Sequence, residues 1–256
     1  MAVTINLNDA NSDGVGINFS AYLNDFNTSF ERADYGYFSR VSTDYSGNSY
    51  ATTNVPFALF TGDASAWSFI ADSGASGDFT YDPQARLLSG TLDGVSFGHG
   101  LTYDASSDSF YHTTQDIGIS GLNLSGNGAD NAVHALTYDL MSGNTAELET
   151  TLNNNDLVIN GSTGNDVLQS YAGNDTLTGG AGDDVFVFDN LSGNDVITDL
   201  QAGDTINIKW DAVTEYADLI IDYAVDAGNA VISAVGVTDT ITVEGFSSGL
   251  DETVFV

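Results

Sequence analysis

A nine-residue repeat constrains the fold of this chain more than any other feature of its sequence. Three copies follow one another without a gap: GSTGNDVLQ from Gly161, SYAGNDTLT from Ser170 and GGAGDDVFV from Gly179. Each copy joins a Gly-x-Asn/Asp-Asp turn to an apolar-x-apolar segment that is typical of a short strand. One such unit buries too little apolar surface to be stable alone, so the copies must stack and fold together.

The repeats also supply the oxygen ligands that calcium prefers. Glycine adopts backbone angles that other residues resist, so each turn can direct its carbonyl groups inward beside the carboxylate at its sixth position. Calcium takes six to eight oxygens at about 2.3 to 2.6 Å. A degenerate fourth copy begins at Ser192. The predicted metal-binding residues are the carboxylates Asp166, Asp175, Asp184 and Asp195, the turn glycines Gly164, Gly173 and Gly182, and the fifth-position residues Asn165, Asn174 and Asp183.

The charge of the chain indicates the same kind of ion and excludes several partners. The 256 residues include 36 Asp and Glu but only 4 Lys and Arg, a formal net charge of −32. Repulsion among so many carboxylates opposes compaction unless cations bind. The scarcity of cationic side chains excludes nucleic-acid binding and attraction to an anionic membrane surface. Because 42% of the residues are hydrophobic and 11% aromatic, we predict a folded protein rather than a disordered one.

Two further classes of structure are excluded by what the sequence does not contain. There is no cysteine, so there are no disulfides and no thiolate metal sites. The start of the sequence has neither the basic leader nor the apolar core of a cleaved signal peptide, and no run approaches the about 18 apolar residues of a membrane span. We therefore expect no membrane insertion.

The chain changes character near the polar run at 153–156, which predicts two domains, 1–155 and 156–256. In the first, alternating segments at 3–7, 88–97 and 116–124 predict strands. Apolar residues spaced three and four apart at 19–30 and at 130–141 predict amphipathic helices. This mixture indicates an α+β fold with helices on one face of an antiparallel sheet.

After the repeats, alternating segments predict a β-rich C-terminal cap. These segments lie at 205–208, 219–223, 230–233 and 240–243, with a hairpin turn at 226–229.

The nonapeptides resemble the repeats of the RTX family, whose glycine-rich copies wind into a calcium-filled parallel β-roll. The resemblance implies calcium as a cofactor. It also implies an uncleaved C-terminal signal read by a type I secretion apparatus, and the ending from Glu252 to Val256 resembles such a signal. The protein is then expected to be secreted and extracellular.

The first 155 residues resemble hemophores of the HasA type. Three stretches carry the resemblance: FSAYL from Phe19, GTLDGVSFG from Gly90 and VHALTYDLMSG from Val133. It implies a curved antiparallel sheet with helices on one face. It also implies a protein that captures extracellular heme and delivers it to an outer-membrane hemophore receptor.

The same resemblance points to residues that would hold heme. Tyr81 matches the tyrosine whose phenolate ligates iron in the family, and Arg86 falls near the histidine that supports it. The family's ligating histidine lies on another loop, which corresponds to residues 31–38 here, and this segment contains Tyr35 and Tyr37 but no histidine. His134 matches a family histidine on the helix behind the tyrosine. For His134 a purely structural role is an equal alternative, and Tyr81 can also be an ordinary packing aromatic.

These observations predict a secreted calcium-binding, hemophore-like protein that captures heme for iron acquisition. The alternative is a non-catalytic secreted binding, surface or matrix protein whose scaffold holds a different small apolar ligand. We expect no enzyme. The G-x-S-x-G pattern at 94–98 lies in a strand-like segment without the following helix that a serine hydrolase needs, and no H-E-x-x-H motif is present.

Overall fold

The computed structural model describes residues 2–10, 13–39, 46–56, 63–75, 77–128, 130–223 and 228–256. Three α-helices occur in this part of the chain: α1 (Phe19–Ser29), α2 (Ala132–Met141) and α3 (Ala146–Asn153). The strands are β1 (Val3–Leu7), β2 (Tyr37–Phe38), β3 (Ser46–Gly47), β4 (Ser49–Thr53), β5 (Trp67–Asp72), β6 (Phe79–Asp82), β7 (Leu87–Asp104), β8 (Ser109–Gly126), β9 (Leu157–Asn160), β10 (Val167–Gln169), β11 (Thr176–Thr178), β12 (Val185–Phe188), β13 (Asn194–Ile197), β14 (Thr205–Ile208), β15 (Leu219–Asp222), β16 (Ala230–Ala234) and β17 (Thr240–Val243).

The fold is mixed α+β with few helices, as the sequence predicts. The chain divides into two compact units, one of residues 21–151 and one of residues 1–20 together with 152–256. This division differs from the expected boundary at residue 155, because the first twenty residues group with the repeats. The physical reason is that β1 pairs in parallel with β9.

The unit of residues 21–151 contains an antiparallel sheet. Its strands lie in the order β2-β4-β5-β7-β8, with β6 on β7 and β3 on β6. Strands β7 and β8 are each 18 residues long and pair over nearly their whole length, with two register shifts. The strands predicted at 88–97 and 116–124 lie inside this long pair.

Helix α1 packs on the sheet through the predicted apolar stripe. Leu23, Phe26 and Phe30 are buried, and the ring of Phe26 lies 5.0 Å from that of Phe97 and 6.0 Å from that of Trp67. Burying a side chain of this size stabilises a fold by roughly 1.5–3 kcal/mol. These aromatic contacts fix α1 against β5 and β7.

The repeat unit contains two sets of parallel strands. In one, β1, β9, β11, β13 and β17 are neighbours in that order, and in the other β10, β12 and β14 are neighbours. Successive strands from β9 to β14 therefore alternate between the two sets. The apolar residues that recur at every ninth position, Leu168, Leu177 and Phe186, have no exposed surface. They form the core that the repeat predicts.

The cap after the repeats is built on β17. Strands β15, β16 and β17 pair antiparallel, close to the bounds predicted from alternation. The turn predicted at 226–229 lies partly outside the described residues. Among the helices described, none has the length and apolar character needed to cross a membrane.

Candidate functional site

The turns between the parallel strands form two stacks. Turn stack A contains residues 161–166, 179–184 and 199–204, and turn stack B contains residues 170–175 and 190–195. Their arrangement follows from the alternation of strands between the two parallel sets, since turns two strands apart lie on the same side. The candidate calcium-binding residues are distributed over both stacks.

One carboxylate oxygen of each turn links it to the preceding turn of the same stack. In stack A, Asp166 N–H donates to Asp184 Oδ1 at 2.8 Å and Asp184 N–H donates to Asp204 Oδ1 at 2.9 Å. In stack B, Asp175 N–H donates to Asp195 Oδ1 at 2.9 Å. These bonds fix the direction in which the second oxygen of each carboxylate points.

The second oxygen is left without a hydrogen bond in two of these carboxylates. Asp184 and Asp195 are each 1% exposed. Among the residues that the structure describes, Oδ2 of Asp184 and Oδ2 of Asp195 have no hydrogen-bond partner. A buried carboxylate oxygen without a partner carries a large desolvation cost, so a bound cation is the natural compensation.

Two serine hydroxyls lie close to the Asp195 carboxylate in stack B. Ser170 and Ser192 are each 3% exposed, and their hydroxyl oxygens make no hydrogen bond with any described group. Burial raises the pKa of Asp195 to about 7, and these two hydroxyls oppose the rise because they face the carboxylate. Burial likewise raises the pKa of Asp175 and of Asp184 to about 6.

Carboxylates outside the repeats decide which oxygens are orphaned. In the first turn of each stack, 161–166 and 170–175, Oδ2 of the sixth-position aspartate accepts a hydrogen bond from the second residue of the same turn. Ser162 N–H donates to Asp166, and Tyr171 N–H donates to Asp175. In the second turn of each stack, 179–184 and 190–195, the equivalent N–H group donates to a different aspartate. Gly180 N–H donates to Asp199 at 2.9 Å, and Leu191 N–H donates to Asp239 at 2.7 Å.

Sequence reasoning missed Asp199, Asp204 and Asp239. The Gly203-Asp204 pair before β14 is a shortened repeat that spacing could have revealed. Asp239 carries no such signal, because β15 and β16 separate it from the repeats.

The predicted glycines are required by the close approach of stacked turns. A Cβ atom on Gly182 would lie 2.5 Å from the carbonyl oxygen of Gly164, and one on Gly173 would lie 2.9 Å from that of Asn155. Gly173 and Gly182 also have φ values of 129° and 130°, which disfavour any side chain.

The predicted fifth-position residues form a second ladder. Asn165 Oδ1 accepts a hydrogen bond from Asp183 N–H at 2.9 Å, and Asn174 Oδ1 accepts one from Asn194 N–H at 3.0 Å. The side chains of Asn165 and Asn174 thus hold the turns in register.

A second candidate site surrounds Tyr50 in the unit of residues 21–151. Its phenol is buried and donates a hydrogen bond to the carbonyl of Tyr35. Burial raises the pKa of Tyr50, the guanidinium of Arg32 opposes the rise, and the phenols of Tyr81 and Tyr37 add to it. The structure therefore brings Tyr37 and Tyr81 close to Tyr50. Sequence reasoning missed Tyr50, because it lies on β4, away from both predicted loops.

Arg32 orders the segment that carries Tyr35 and Tyr37. Its guanidinium donates a hydrogen bond to the carbonyl of Met141 at 3.0 Å and lies 5.3 Å from the ring centre of Tyr35. Tyr35 is 81% exposed. Tyr37 donates to Asp34 at 3.1 Å, and burial together with this bond raises the pKa of Tyr37 to about 12.

The other predicted heme residues lie around the β6–β7 pair. Tyr81 is half-buried on β6 opposite Leu88, and Arg86 is exposed in the turn that follows. Arg86 has no ion-pair partner in the described ranges. His134 Nδ1 accepts a hydrogen bond from Leu88 N–H of β7 at 3.3 Å. Burial lowers the pKa of His134. The Nδ1 atom of His134 is thus engaged by the backbone of β7.

His112 makes a contact that the sequence did not indicate. Its Nδ1 lies 2.8 Å from the hydroxyl of Ser68, and its Nε2 lies 3.0 Å from that of Ser96, the serine of the G-x-S-x-G pattern. Burial lowers the pKa of His112 to about 4, which makes it a poor general base at neutral pH. Ser96 lies in the middle of β7 rather than on a strand-to-helix turn. The geometry favours a structural role.

Acidification is expected to destabilise residues 21–151 through His112. Its pKa falls from an ordinary 6.5 to about 4 on folding, so the unfolded chain binds the extra proton between these values. Stability is then complete above pH 6.5 and declines as the pH falls to 4, by up to about 3 kcal/mol. Urea unfolding followed by Trp67 fluorescence in a Trp210→Phe background measures this. His112→Gln does not titrate and should flatten the profile; equal slopes with and without His112 would contradict the assignment.

Comparison with known proteins gives two regions of similarity. Residues 158–186 match the RTX calcium-binding nonapeptide repeat. Over 85 residues the chain is 42% identical to the hemophore HasA of Serratia marcescens, and the matched region covers 31% of this chain and 45% of that protein. The chain thus spans less than half the length of this relative.

Solved structures of similar chains include two kinds of protein. Holo hemophore HasA from Yersinia pestis is 24% identical, with a TM-score of 0.46 over 59% of this chain and 88% of that one. The AlgE6R3 subunit of the Azotobacter vinelandii mannuronan C5-epimerase is 24% identical, with a TM-score of 0.33 over 40% and 67%.

Proposed function

We propose that this chain, which carries a HasA-like domain and RTX calcium-binding repeats, is a secreted, non-catalytic hemophore that folds with calcium and captures extracellular heme. The observation that carries the calcium part is the pair of buried, unpartnered carboxylate oxygens on Asp184 and Asp195. The tyrosine cluster around Tyr50 supports the heme part.

Calcium would bind between successive turns of each stack. In stack A it would lie beside Asp184, between the turns that carry Asp166 and Asp204, and in stack B beside Asp195 and Asp175. No three His, Asp or Glu side chains converge in the described part of the chain. The remaining ligands would therefore be carbonyl oxygens of the turns, among them those of Gly164, Gly173 and Gly182 and of the fifth-position residues Asn165, Asn174 and Asp183, with the hydroxyls of Ser170 and Ser192. This set of hard oxygens suits calcium.

With ions between the turns, the two sets of parallel strands would wind as a calcium β-roll capped by β15 to β17. The low calcium inside a cell leaves such a module unfolded and able to pass a type I secretion apparatus. Extracellular calcium, at affinities of about 10⁻⁴ to 10⁻³ M, then folds it. This coupling supports the proposed secreted location.

Heme would be held on the unit of residues 21–151, whose sheet we propose is curved with the helices on one face. Ferric heme supplies a Lewis-acidic iron that a phenolate oxygen ligates. Tyr81 is the candidate iron ligand, a role supported by its half-buried phenol close to that of Tyr50. Arg86 is exposed and would pair with a propionate, and Tyr35 would cover the ligand from the loop. His134 would act as a support for β7. An outer-membrane hemophore receptor would then take the heme.

Substitution of Tyr81 tests the heme proposal. Tyr81→Phe keeps the ring and removes the ligating oxygen, so we expect the Soret band that forms on adding hemin to the calcium-loaded chain to weaken and shift. The apparent affinity should fall at least about tenfold. Absorbance titration with hemin measures both effects.

The matched control is Tyr111→Phe, which removes a phenol oxygen from a 49% exposed side chain on β8. This variant should bind hemin as the unchanged chain does. Absence of a Soret band in all three proteins would exclude heme capture, and equal binding by the Tyr81 variant would exclude Tyr81 as the ligand.

The alternative is a secreted binding, surface or matrix protein whose HasA-like domain holds a different small apolar ligand. One observation favours it: the segment at 31–38 contains Tyr35 and Tyr37 where the resemblance calls for a histidine. A visible spectrum of the protein purified from its own culture medium separates the two functions, since only a hemophore would carry the heme absorption.

A further inference from the structure

The N-terminal segment extends the parallel strands of the repeats. Residues Val3 to Asn6 of β1 pair in parallel with Leu157 to Asn160 of β9, in the same sense as β9 pairs with β11. Val3 N–H donates to the carbonyl of Asp156 at 3.0 Å. Val3 and Ile5 have no exposed surface. Strand β1 therefore occupies the place of one more strand before the first repeat.

The loop after β1 lies where one more turn of stack A would lie. Ile17 N–H donates a hydrogen bond to Asp166 Oδ1 at 2.5 Å. The equivalent bonds further along the stack run from Asp166 N–H to Asp184 Oδ1 and from Asp184 N–H to Asp204 Oδ1. Asn165 N–H donates to the carbonyl of Gly14 at 3.2 Å, and Val167 N–H donates to that of Ile17 at 3.0 Å. The hydrogen-bond ladder of stack A thus begins outside the nonapeptides.

Two glycines allow this close approach. A Cβ atom on Gly16 would lie 2.5 Å from the carbonyl carbon of Asn165, and one on Gly164 would lie 2.6 Å from the backbone nitrogen of Gly16. After the loop, Phe19 is fully buried and its ring lies 6.2 Å from that of Tyr171 in stack B. The chain from Gly14 to Phe19 therefore contacts both stacks.

We propose that residues 2–10 and 13–18 belong to the first coil of the calcium-binding module, so that calcium orders the loop at 14–18 and the loop in turn raises the affinity of the repeats for calcium. This inference rests on the proposed calcium function. The physical reason is thermodynamic linkage. Ile17 N–H donates a hydrogen bond to the carboxylate of Asp166 in the first turn of stack A. Ordering of the loop therefore stabilises that turn, and ordering of the turn stabilises the loop by the same free energy.

One consequence concerns the HasA-like domain. In the sequence, residues 21–151 lie between the two parts of one calcium module, residues 1–20 and 152–256. Calcium binding would then fix both chain ends of the heme-binding unit, which gives the N-terminal residues a role that the nonapeptides alone do not show.

Hydrogen exchange of the full chain, read by mass spectrometry with and without calcium, tests the proposal. Peptides that contain residues 14–18 should gain protection on adding calcium, together with those that contain residues 157–187. If only the repeat peptides respond, this inference is wrong while the calcium function stands. If neither region responds, both are wrong.

Two single-residue variants test the reverse direction of the linkage. Gly16→Ala places a Cβ against Asn165 and should raise the calcium midpoint at least about threefold, because the loop can no longer seat on the first turn. Val15→Ala alters the adjacent residue, which is 70% exposed, and should leave the midpoint unchanged. Equal midpoints in the two variants would overturn the proposal.

Discussion

Removal of calcium with excess chelator is expected to unfold residues 152–256 and to leave residues 21–151 folded. The C-terminal stretch carries eighteen Asp and Glu but a single cationic side chain, Lys209. Several of these carboxylates are buried, so calcium-free folding must bear both their desolvation and their mutual repulsion. The strands there are only three to five residues long. By contrast, residues 21–151 have a packed aromatic core on long antiparallel strands.

Two measurements check this outcome. Far-ultraviolet circular dichroism should lose much of its strand signal in chelator and regain it with calcium but not with magnesium, because magnesium requires a stricter octahedral geometry. Limited proteolysis in chelator should leave a resistant core within residues 21–151. An unchanged strand signal in chelator, or cleavage throughout the chain, would contradict the expectation.

The repeat unit could be predicted in detail because its period ties chemistry to position. The nine-residue spacing places Leu168, Leu177 and Phe186 in one apolar ladder, and all three are fully buried. The same spacing assigns Asp184 to a turn by its position in the repeat, whereas Asp195, eleven residues further on, is assigned by the Gly-Asn-Asp sequence of the degenerate fourth copy. Strands β14 and β17 match their predicted bounds because alternation alone defines a short half-buried strand.

Other features depend on contacts between residues distant in sequence, and no local pattern reports them. Strand β1 has the same alternation as any edge strand, so its pairing with β9 was invisible. The hydrogen bond that joins Leu191 to Asp239 spans 48 residues. Tyr50 on β4 comes close to Tyr81 on β6 because β4 pairs with β5, β5 with β7 and β7 with β6. Sequence spacing predicts the ladder of carboxylates, whereas contacts between residues distant in sequence decide which carboxylate oxygens have no hydrogen-bond partner.

The buried carboxylate oxygens without hydrogen bonds lead to a prediction in which one double substitution has opposite effects on the protein with and without calcium. In the double variant Asp184→Asn, Asp195→Asn each amide keeps the oxygen that accepts the neighbouring N–H, while the buried negative charge disappears. Calcium affinity should fall at least about a hundredfold, since each lost charge removes an interaction worth several kcal/mol in a buried site. In chelator the same variant should retain more strand signal than the unchanged chain, because the repulsion of Asp184 by Asp204 and Asp166 is relieved.

The control for this sign reversal is Asp189→Asn, which makes the same chemical change on the surface. Asp189 is half exposed and pairs with Lys209 at 3.7 Å, an interaction worth about 1 kcal/mol or less. It should change neither the calcium midpoint nor the signal in chelator. Calcium titration by calorimetry and circular dichroism in chelator give the two readouts for each protein. If the double variant binds calcium as tightly as Asp189→Asn, the buried oxygens are not ligands; if it loses strand signal in chelator, their charges stabilise the calcium-free fold rather than oppose it.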